Sequence, residues 1–229
     1  MAAKGERGPL WIWADSQLKG RGRQGRQWES RRGNLYASLL LTLPVRASDC
    51  AGLSLAAPVA VRAALLGLLP SDVAVELKWP NDVLLPDGKV AGILLESVAG
   101  EGSTVVVIGC GINVSDAPSA TRYGATALAR HGVDASAREV LEILARHMDE
   151  VVGRWNNGRD FETIRKEWLS ACPGVGRRIS IKAGADTMEG MFEGLNADGA
   201  LLLRLDGGGL EVVRAGDVAL APAESGPPA

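Results

Sequence analysis

The chain has 229 residues, of which 46% are hydrophobic and 23% are charged, and its formal net charge is −2. This composition is close to ordinary globular usage, so the chain should fold around one substantial core, with or without a smaller second domain. The net charge gives no general attraction to nucleic acid or to an anionic membrane, so any anion-binding site must come from a local cluster of the 25 basic residues.

Cysteine usage and the N-terminal sequence bear on the cellular compartment. Cys50, Cys110 and Cys172 are odd in number and widely spaced, which matches neither a zinc-binding pattern nor a disulfide framework. The N-terminus lacks an apolar segment of secretory length, and no window reaches about 18 uninterrupted apolar residues. We therefore expect a cytoplasmic protein that does not associate with membranes.

The first half of the chain is predicted to be mainly β-structure. Six segments have strand composition: residues 9–15, 34–43, 73–78, 83–85, 89–97 and 104–114. The first is expected to be a short buried strand, and the Gly- and Arg-rich run after it is expected to be a loop. Residues 50–69 are rich in Ala and Leu at helical spacing, which predicts a core helix.

The second half is predicted to contain two helices and then a small β-module. Ser136 and Glu139 form a capping box at the start of a helix over residues 136–155, and a second helix covers residues 161–171. Short β-like runs alternate with turn residues over residues 178–220. The predicted fold class is α+β: a mixed, largely antiparallel sheet packed by helices, followed by a small SH3-like β-barrel. We expect a main domain over residues 1–175, the barrel over residues 176–220 and a disordered tail over residues 221–229.

The segment GRGRQGRQW combines three arginines with three glycines: Gly20, Arg21, Gly22, Arg23, Gly25 and Arg26. Such a backbone can adopt positive φ and wrap around a ligand, and a guanidinium group pairs bidentately with phosphate or carboxylate without losing its charge. A solvated basic loop and an RNA-contacting Gly/Arg tract fit the same segment. Taken alone, the segment favours those two interpretations.

A second motif, KWPNDVLL over residues 78–85, is followed by GKVAGILLE over residues 88–96. Its Trp-Pro pair makes a rigid corner that presents Lys78, Asn81 and Asp82 at a rim. A Pro-Asp-Gly turn makes the two segments a hairpin, so Lys89 can face the same cleft. The alternatives are exposed lysines that only improve solubility and a carboxylate that only caps a turn.

A third motif, GCGIN over residues 109–113, ends a predicted apolar strand. Gly109 and Gly111 suggest that another group approaches the backbone closely at this point. The segment lacks the following helix of a dinucleotide-binding fingerprint, so by itself it is a weak signal.

Taken together and in this order, GRGRQGRQW, KWPND, GKVAGILLE and GCGIN closely resemble the biotin-protein ligase family. The resemblance is strong over residues 8–114, weak over the helices, and reaches the C-terminal module by placement and turn pattern. It implies that residues 1–175 form a biotin- and ATP-binding catalytic domain with biotin–[acetyl-CoA-carboxylase] ligase activity. Such an enzyme forms biotinyl-5′-adenylate and pyrophosphate, and then transfers biotin to a lysine of a biotin carboxyl carrier domain.

The resemblance also implies roles for individual residues. The catalytic residues would be Lys89, Arg23 and Asp82. Biotin and the adenylate would be bound by Gln17, Gly20, Arg21, Gly22, Arg23, Lys89, Gly92 and Gly111. ATP would be bound by Arg26, Trp28, Lys78, Asn81 and Asn113, with Mg²⁺ held by Asp82. Gln17 is carried over by position, although its neighbours Leu18 and Lys19 differ from the residues usual in the family.

The implied reaction requires no protein nucleophile. Catalysis would consist of positioning two anions that repel each other and of stabilising charge on the phosphoryl oxygens, which the arginines, Lys89 and Mg²⁺ would supply. This agrees with the lack of a recognisable Ser-His-Asp or Cys-His arrangement in the sequence. His131 and His147 are therefore expected to be packing or surface residues.

The sequence departs from the family near its start. Family members usually carry an upstream strand that ends in a Ser-Thr-Asn turn and holds the ureido ring of biotin, and no such turn precedes Leu10. We expect the chain to bind biotin weakly unless it is extended upstream; equal affinity of both forms by isothermal titration would contradict this. The sequence before Pro9 also leaves no room for the helix-turn-helix domain of some members, so DNA binding is not expected. Whether the protein forms a homodimer is left open by the sequence.

Two other functions stay open. A lipoate or octanoate ligase or transferase shares the implied architecture but does not normally combine GRGRxGR with KWPND. A non-enzymatic RNA-binding module would use the Gly/Arg loop, although the basic residues and tryptophans interleave only at Trp28 and the net charge is negative. Transfer of labelled biotin or lipoate to an apo carrier domain separates the three.

Overall fold

The computed structural model describes residues 6–118, 124–184 and 186–220. Within them the chain forms a six-stranded sheet, a five-stranded sheet and three α-helices. The tail predicted over residues 221–229 lies outside the described residues.

The six-stranded sheet is built from the first half of the chain. Its strands are β1 (Leu10–Ala14), β2 (Leu35–Leu43), β3 (Glu76–Lys78), β4 (Asp82–Leu85), β5 (Gly88–Gly100) and β6 (Ser103–Ile112). They lie in the order β1-β2-β6-β5-β4-β3, and each neighbouring pair is antiparallel. An isolated parallel bridge joins Lys89 to Ala125. The prediction of a largely antiparallel sheet in an α+β fold is confirmed.

The three helices are α1 (Leu53–Leu66), α2 (Ala137–Trp155) and α3 (Phe161–Ser170). α1 and α2 pack on this sheet, whereas α3 packs on the other two helices. Every second residue of β6 from Thr104 to Ile112 is buried in the shared core, because successive side chains of a strand point to opposite faces. Gly109 and Gly111 belong to the opposite set. The sheet thus has one face that carries the core and one face that is available for a ligand.

The apolar residues and the capping residues of each helix follow from its position in the fold. α1 is apolar on all sides because it contacts both β5 and the other two helices. The stretch Asp49–Leu66 is long and apolar enough to cross a membrane by length and composition, but 67% of it is buried inside the fold. α2 begins at the predicted capping box: Ser136 Oγ accepts from the Glu139 N–H at 3.2 Å, and the Glu139 carboxylate accepts from the Ser136 N–H at 2.8 Å.

Two predicted strands differ in the structure. β1 is not buried, because it forms the edge of the sheet and pairs only with β2; Trp13 is 43% exposed and Ile12 is 38% exposed. The strand predicted over residues 73–78 is shortened to Glu76–Lys78. Its beginning is bent into a turn by a hydrogen bond from the Val73 N–H to the Pro70 carbonyl at 3.0 Å.

The five-stranded sheet comes from the end of the chain. Its strands are β7 (Arg178–Ala183), β8 (Asp186–Leu195), β9 (Leu201–Arg204), β10 (Leu210–Val213) and β11 (Asp217–Leu220), in the order β10-β9-β8-β7-β11. Alternating apolar residues such as Ile179, Ile181 and Leu203 are fully buried. These strands form a small barrel-like module, called the C-terminal module below.

The C-terminal module is held against the rest of the chain by side chains that reach its turns. The Trp79 indole of the KWPND corner donates to the Gly199 carbonyl at 3.2 Å. Arg165 of α3 donates to the Leu195 carbonyl at 2.7 Å. Trp79 therefore joins the two sheets, and the domain boundary at residue 175 stays a prediction.

Replacing Ser136 by alanine removes the side-chain half of the α2 cap. We expect the free energy of unfolding to fall by about 1 kcal/mol, because one N–H at the helix start loses its acceptor. Urea unfolding followed by circular dichroism measures this change. Ser136→Thr keeps the hydroxyl and serves as the control; equal stability of the Ala and Thr variants would show that the cap contributes nothing.

Candidate active site

A cavity of about 640 Å³ opens on the face of the six-stranded sheet opposite the core. Its volume is within the range typical of small-ligand sites. Most of the residues implicated by the sequence line it: Gln17, Arg21, Gly22, Arg23, Arg26, Trp28, Lys78, Asn81, Asp82, Lys89, Gly92, Gly111 and Asn113. The structure therefore brings residues of four sequence motifs, GRGRQGRQW, KWPND, GKVAGILLE and GCGIN, to one place.

Backbone pairing aligns these motifs in a row across the sheet. Lys78 pairs with Asp82, Asp82 with Gly92, and Gly92 with Gly111. Gly111 pairs in turn with Tyr36 of β2. Since residues paired across an antiparallel sheet share a face, the register alone places the KWPND, GKVAG and GCGIN motifs side by side.

A β-bulge decides on which face Lys89 lies. The register between β4 and β5 shifts, so that Leu84 pairs with Lys89 while Val83 pairs with Ala91. In a regular strand, Lys89 and Gly92 would face opposite sides because they are an odd number of residues apart. The bulge returns Lys89 to the cavity face, where its Nζ lies 2.9 Å from the position that a Cβ on Gly92 would occupy.

Two partners hold the Lys89 ammonium group. Its Nζ forms an ion pair with Asp82 Oδ1 at 2.5 Å and lies 5.3 Å from the centre of the Trp28 ring. The second distance is that of a cation–π contact. The Lys89 and Asp82 side chains are 28% and 18% exposed, so water screens their attraction only partly. An anionic ligand would meet an ammonium group that is already positioned.

The Trp28 ring covers the two glycines of the row. A Cβ on Gly111 would lie 2.6 Å from ring atoms Cε2 and Cζ2, and a Cβ on Gly92 would lie 2.9 Å from Cζ3. The ring therefore fits only because both positions lack a side chain. The close approach predicted at GCGIN is confirmed at Gly111. At Gly109, in contrast, a Cβ would lie at the ordinary contact distance of 3.4 Å from its nearest neighbour, the Leu94 carbonyl oxygen.

Trp28 also presents an unused donor. Its Nε1 is buried and has no hydrogen-bond acceptor within the part of the chain that the structure describes. Burying such a group unpaired costs about 1–3 kcal/mol. A ligand that offered an acceptor to this atom would recover part of that cost.

The arginine-bearing loop is closed by its own backbone. The Trp28 N–H donates to the Gly20 carbonyl at 3.0 Å, and the Gly22 N–H donates to the Arg26 carbonyl at 2.7 Å. Gln24 at the tip has a φ of 55°, which adds to the bend. Gly20 is buried at the base of this loop instead of lining the cavity, and a Cβ there would lie 2.5 Å from the Trp28 carbonyl oxygen.

Two loop arginines reach the main sheet. Arg21 pairs with Glu96 of β5 at 3.5 Å, and both side chains are more than half exposed. Arg23 Nη1 donates to Asn81 Oδ1 at 3.4 Å. Arg23 thereby connects the loop with the KWPND corner.

The electrostatic setting of Arg23 favours an anion. Burial lowers the pKa of its guanidinium group below the usual value, an effect that the Asp82 carboxylate opposes and Arg26 reinforces. The group stays charged at neutral pH. A cation that has lost part of its hydration is stabilised by an incoming phosphate or carboxylate.

Sequence reasoning missed a contribution from the C-terminal module. Arg23 Nη1 also donates to the Gly216 carbonyl at 3.4 Å, and the Arg26 guanidinium group forms an ion pair with Asp217. Asp217 and Val218 line the cavity. Sequence reasoning does not predict this contact, because Arg26 and Asp217 are 191 positions apart.

Two implicated residues have their polar groups engaged by the protein. Asn113 is 3% exposed and its amide donates to the Thr126 carbonyl at 3.0 Å. Gln17 Oε1 accepts from Ser30 Oγ at 3.2 Å. Both residues therefore help to shape the cavity wall.

The one cysteine among the described residues that line the cavity, Cys110, is not an activated nucleophile. Burial raises the pKa of the Cys110 thiol to about 12, so this group is neutral, and it belongs to the core face of β6. His131 contacts Thr126 Oγ1 at 3.1 Å and is a packing residue, as predicted. Among residues 6–118, 124–184 and 186–220, no three His, Cys, Asp or Glu side chains come together to hold a metal ion.

Comparisons with known proteins agree with this geometry. The model of the Biotin/lipoate A/B protein ligase family matches residues 5–113, and that of the Biotin protein ligase C terminal domain matches residues 174–220. A biotin–[acetyl-CoA-carboxylase] ligase of Paracoccus denitrificans is 39% identical over 94% of this chain and 92% of the relative. A Mycobacterium tuberculosis protein of the same description is 34% identical over 90% of this chain and 76% of the relative. The structure of the Aquifex aeolicus biotin protein ligase in complex with biotin and ATP has a TM-score of 0.76 at 28% identity, covering 92% of this chain and 88% of that chain.

Gly111→Ala should displace the Trp28 ring, because the added methyl group would lie well inside contact distance. We expect the indole N–H signal of Trp28 in a ¹H–¹⁵N spectrum to shift, with Trp28→Phe identifying the signal. Gly109→Ala is the matched control on the same face of β6, since ordinary contact distances surround that position. If Gly109→Ala moved the signal as far as Gly111→Ala, the packing of the ring on Gly111 would not be the cause.

Proposed function

The chain belongs to the biotin/lipoate A/B protein ligase family, and from this we infer that it joins biotin to a carrier protein at the expense of ATP. The activity is that of a biotin–[acetyl-CoA-carboxylase] ligase, and the acceptor is a lysine of a biotin-carrying carboxylase. The observation that carries this function is the cavity in which Arg23, Lys89 and Trp28 meet.

The reaction has two steps. In the first, a biotin carboxylate oxygen bonds to the α-phosphorus of ATP while the bond to pyrophosphate breaks, which yields biotinyl-5′-adenylate. In the second, the amine of the carrier lysine attacks the acyl carbon and AMP leaves. Both steps require that anions be held close together, and neither requires a covalent bond to this chain.

We propose that Lys89 and Arg23 bring the two anions together. Lys89 lies over Gly92 in the middle of the sheet, and half-buried Arg23 lies beside Asn81 at the edge of the same cavity. A carboxylate or phosphate between them would replace Asp82 as the partner of Lys89. Fixed cations of this kind stabilise the charge that develops on phosphoryl oxygens.

The nucleotide is proposed to lie against Trp28. The indole ring gives an adenine base a flat surface, and its buried Nε1 needs an acceptor. Lys78, Asn81, Arg26 and Asn113 are proposed to surround the rest of ATP, and all four line the same cavity. Gln17, Arg21, Gly22 and Gly111 are proposed to border biotin and the adenylate.

Mg²⁺ fits this site as an ion held mainly by the phosphates of ATP. Such ions commonly use one or two carboxylates together with substrate phosphates. Asp82 is the carboxylate that we propose for this role, because it lines the cavity beside Lys89. When bound, the ion would neutralise charge on the phosphoryl oxygens.

The setting of the reaction is also a proposal. We propose that the protein acts in the cytoplasm without binding DNA or a membrane. Whether it works as a homodimer is open to measurement by analytical ultracentrifugation with and without biotin and ATP.

The function is tested by incubating the protein with biotin, ATP, Mg²⁺ and an apo biotin carrier domain, and by measuring the mass of the carrier domain by mass spectrometry. We expect the carrier to gain one biotinyl group, and a parallel reaction with lipoate to give no product. Transfer of lipoate alone would identify the other branch of the family. Transfer of neither would contradict ligation.

Lys89→Ala should slow adenylate formation by about 10²- to 10³-fold, as expected for loss of a group that stabilises an oxyanion. Arg23→Gly should let the adenylate dissociate about tenfold faster, since it removes a charge-assisted contact. Rapid-quench measurement of bound and free adenylate follows both effects.

Lys166→Ala is the control for these variants, because Lys166 is an exposed lysine of α3 that pairs with Glu162 and does not line the cavity. Wild-type rates of adenylate synthesis and release in Lys89→Ala and Arg23→Gly would show that the roles are assigned wrongly.

A further inference from the structure

The arginine-bearing loop needs an anchor outside itself. Its internal hydrogen bonds fix its shape, but they do not fix where it lies relative to the sheet. Gly25 has a φ of 72°, and a Cβ added there would meet nothing within 4 Å, so the loop tip does not pack against the sheet at this residue. The Arg21–Glu96 pair is exposed on both sides and adds little.

Beside the Arg23–Asn81 hydrogen bond, further anchors of the loop lie on the C-terminal module. Asp217, the first residue of β11, pairs with Arg26, and its side chain is only 14% exposed. The neighbouring Gly216 carbonyl accepts from Arg23. Two of the three cavity arginines are thus held by one short segment that comes from the other sheet.

The segment that carries these acceptors is itself rigid. Gly216 packs so tightly on β7 that a Cβ there would lie 2.7 Å from Ile181 Cγ2. Asp217 then pairs with Lys182 in the antiparallel ladder between β11 and β7. Its carboxylate is therefore presented from a fixed backbone, and its position does not depend on the loop.

We propose that Asp217 is a positioning residue that holds the loop closed over the acyl-adenylate, acting through Arg26. This proposal rests on the ligase function proposed above. A carboxylate that is mostly shielded from water is destabilised if it loses its cation. Asp82 would exchange Lys89 for Mg²⁺, but no second cation is proposed for Asp217, so its ion pair with Arg26 persists when the ligand binds. Arg26 pairs with Asp217 through Nη2, which leaves its other N–H groups free to face the phosphates.

The proposal assigns a function to the C-terminal module. The module completes the wall of the cavity opposite the sheet, and it sets the loop in the position from which Arg23 meets the ligand. Escape of the reactive adenylate then depends on a contact between the two parts of the chain.

The test measures how fast bound biotinyl-5′-adenylate dissociates when an excess of biotin displaces it. The variants are Asp217→Ala, Arg26→Ala and the double variant. Each single substitution should speed dissociation about tenfold, as expected for loss of a hydrogen bond between charged groups. If Asp217 acts through Arg26, the double variant should also be about tenfold faster than wild type, and not a hundredfold.

Asp206→Ala is the matched control. Asp206 also pairs with an arginine of the C-terminal module, Arg178, through two bonds of 2.6 and 2.8 Å, but it does not line the cavity. We expect dissociation at the wild-type rate in this variant. In Asp217→Ala the KM for ATP should rise more than the rate of adenylate formation at saturating substrate falls, since Asp217 acts through Arg26 and does not touch the reacting atoms.

Several outcomes would overturn the proposal. In Asp217→Ala, these are dissociation of the adenylate at the wild-type rate or more slowly than in wild type. In the double variant, it is a dissociation rate raised by the product of the two single effects. Asp217→Asn keeps the shape of the side chain and is used in place of Asp217→Ala if that variant does not fold. Dissociation of the adenylate at the wild-type rate in Asp217→Asn would likewise overturn the proposal. If the wild-type protein formed no adenylate at all, the ligase function would fail instead.

Discussion

The site depends on a steric constraint: Trp28 and Lys89 lie directly on the backbone of β5 and β6. At Gly92 and Gly111 any side chain would approach them to less than 3 Å, so both positions must lack a Cβ. The two glycines make a flat floor on which an indole ring and a lysine side chain rest together. The remaining groups of the cavity are arranged around that floor.

Charge is concentrated at this floor although the chain as a whole is slightly acidic. Arg23 and Lys89 are partly shielded from water, and each has a partner, Asn81 or Asp82, that the proposed anionic ligands would replace. The result is a site that is positive before any ligand arrives, so little rearrangement is needed when two anions enter. This explains how the chain can carry out adenylation without a nucleophilic side chain.

The two sheets form a single functional unit. Trp79 joins the KWPND corner to a turn of the C-terminal module, and Asp217 of that module reaches the arginine-bearing loop. Contacts therefore cross between the sheets both beside the cavity and at its rim. The small β-module is consequently part of the cavity wall.

The sequence by itself determined the features that depend on neighbours along the chain. These are the strands of the main sheet, the capping box at Ser136, the loop chemistry around Arg23, and the ordered motifs that identify the family. It did not show that β1 is an edge strand, that a bulge turns Lys89 toward the cavity, or that Asp217 meets Arg26. Those features follow from which strand pairs with which and in what register, and such pairings join residues that are far apart in sequence. Capping and turn preferences act over a few residues, so they can be recognised in the sequence. The face of a sheet on which a side chain lies is decided only once the sheet has formed, because it depends on the register of the strands.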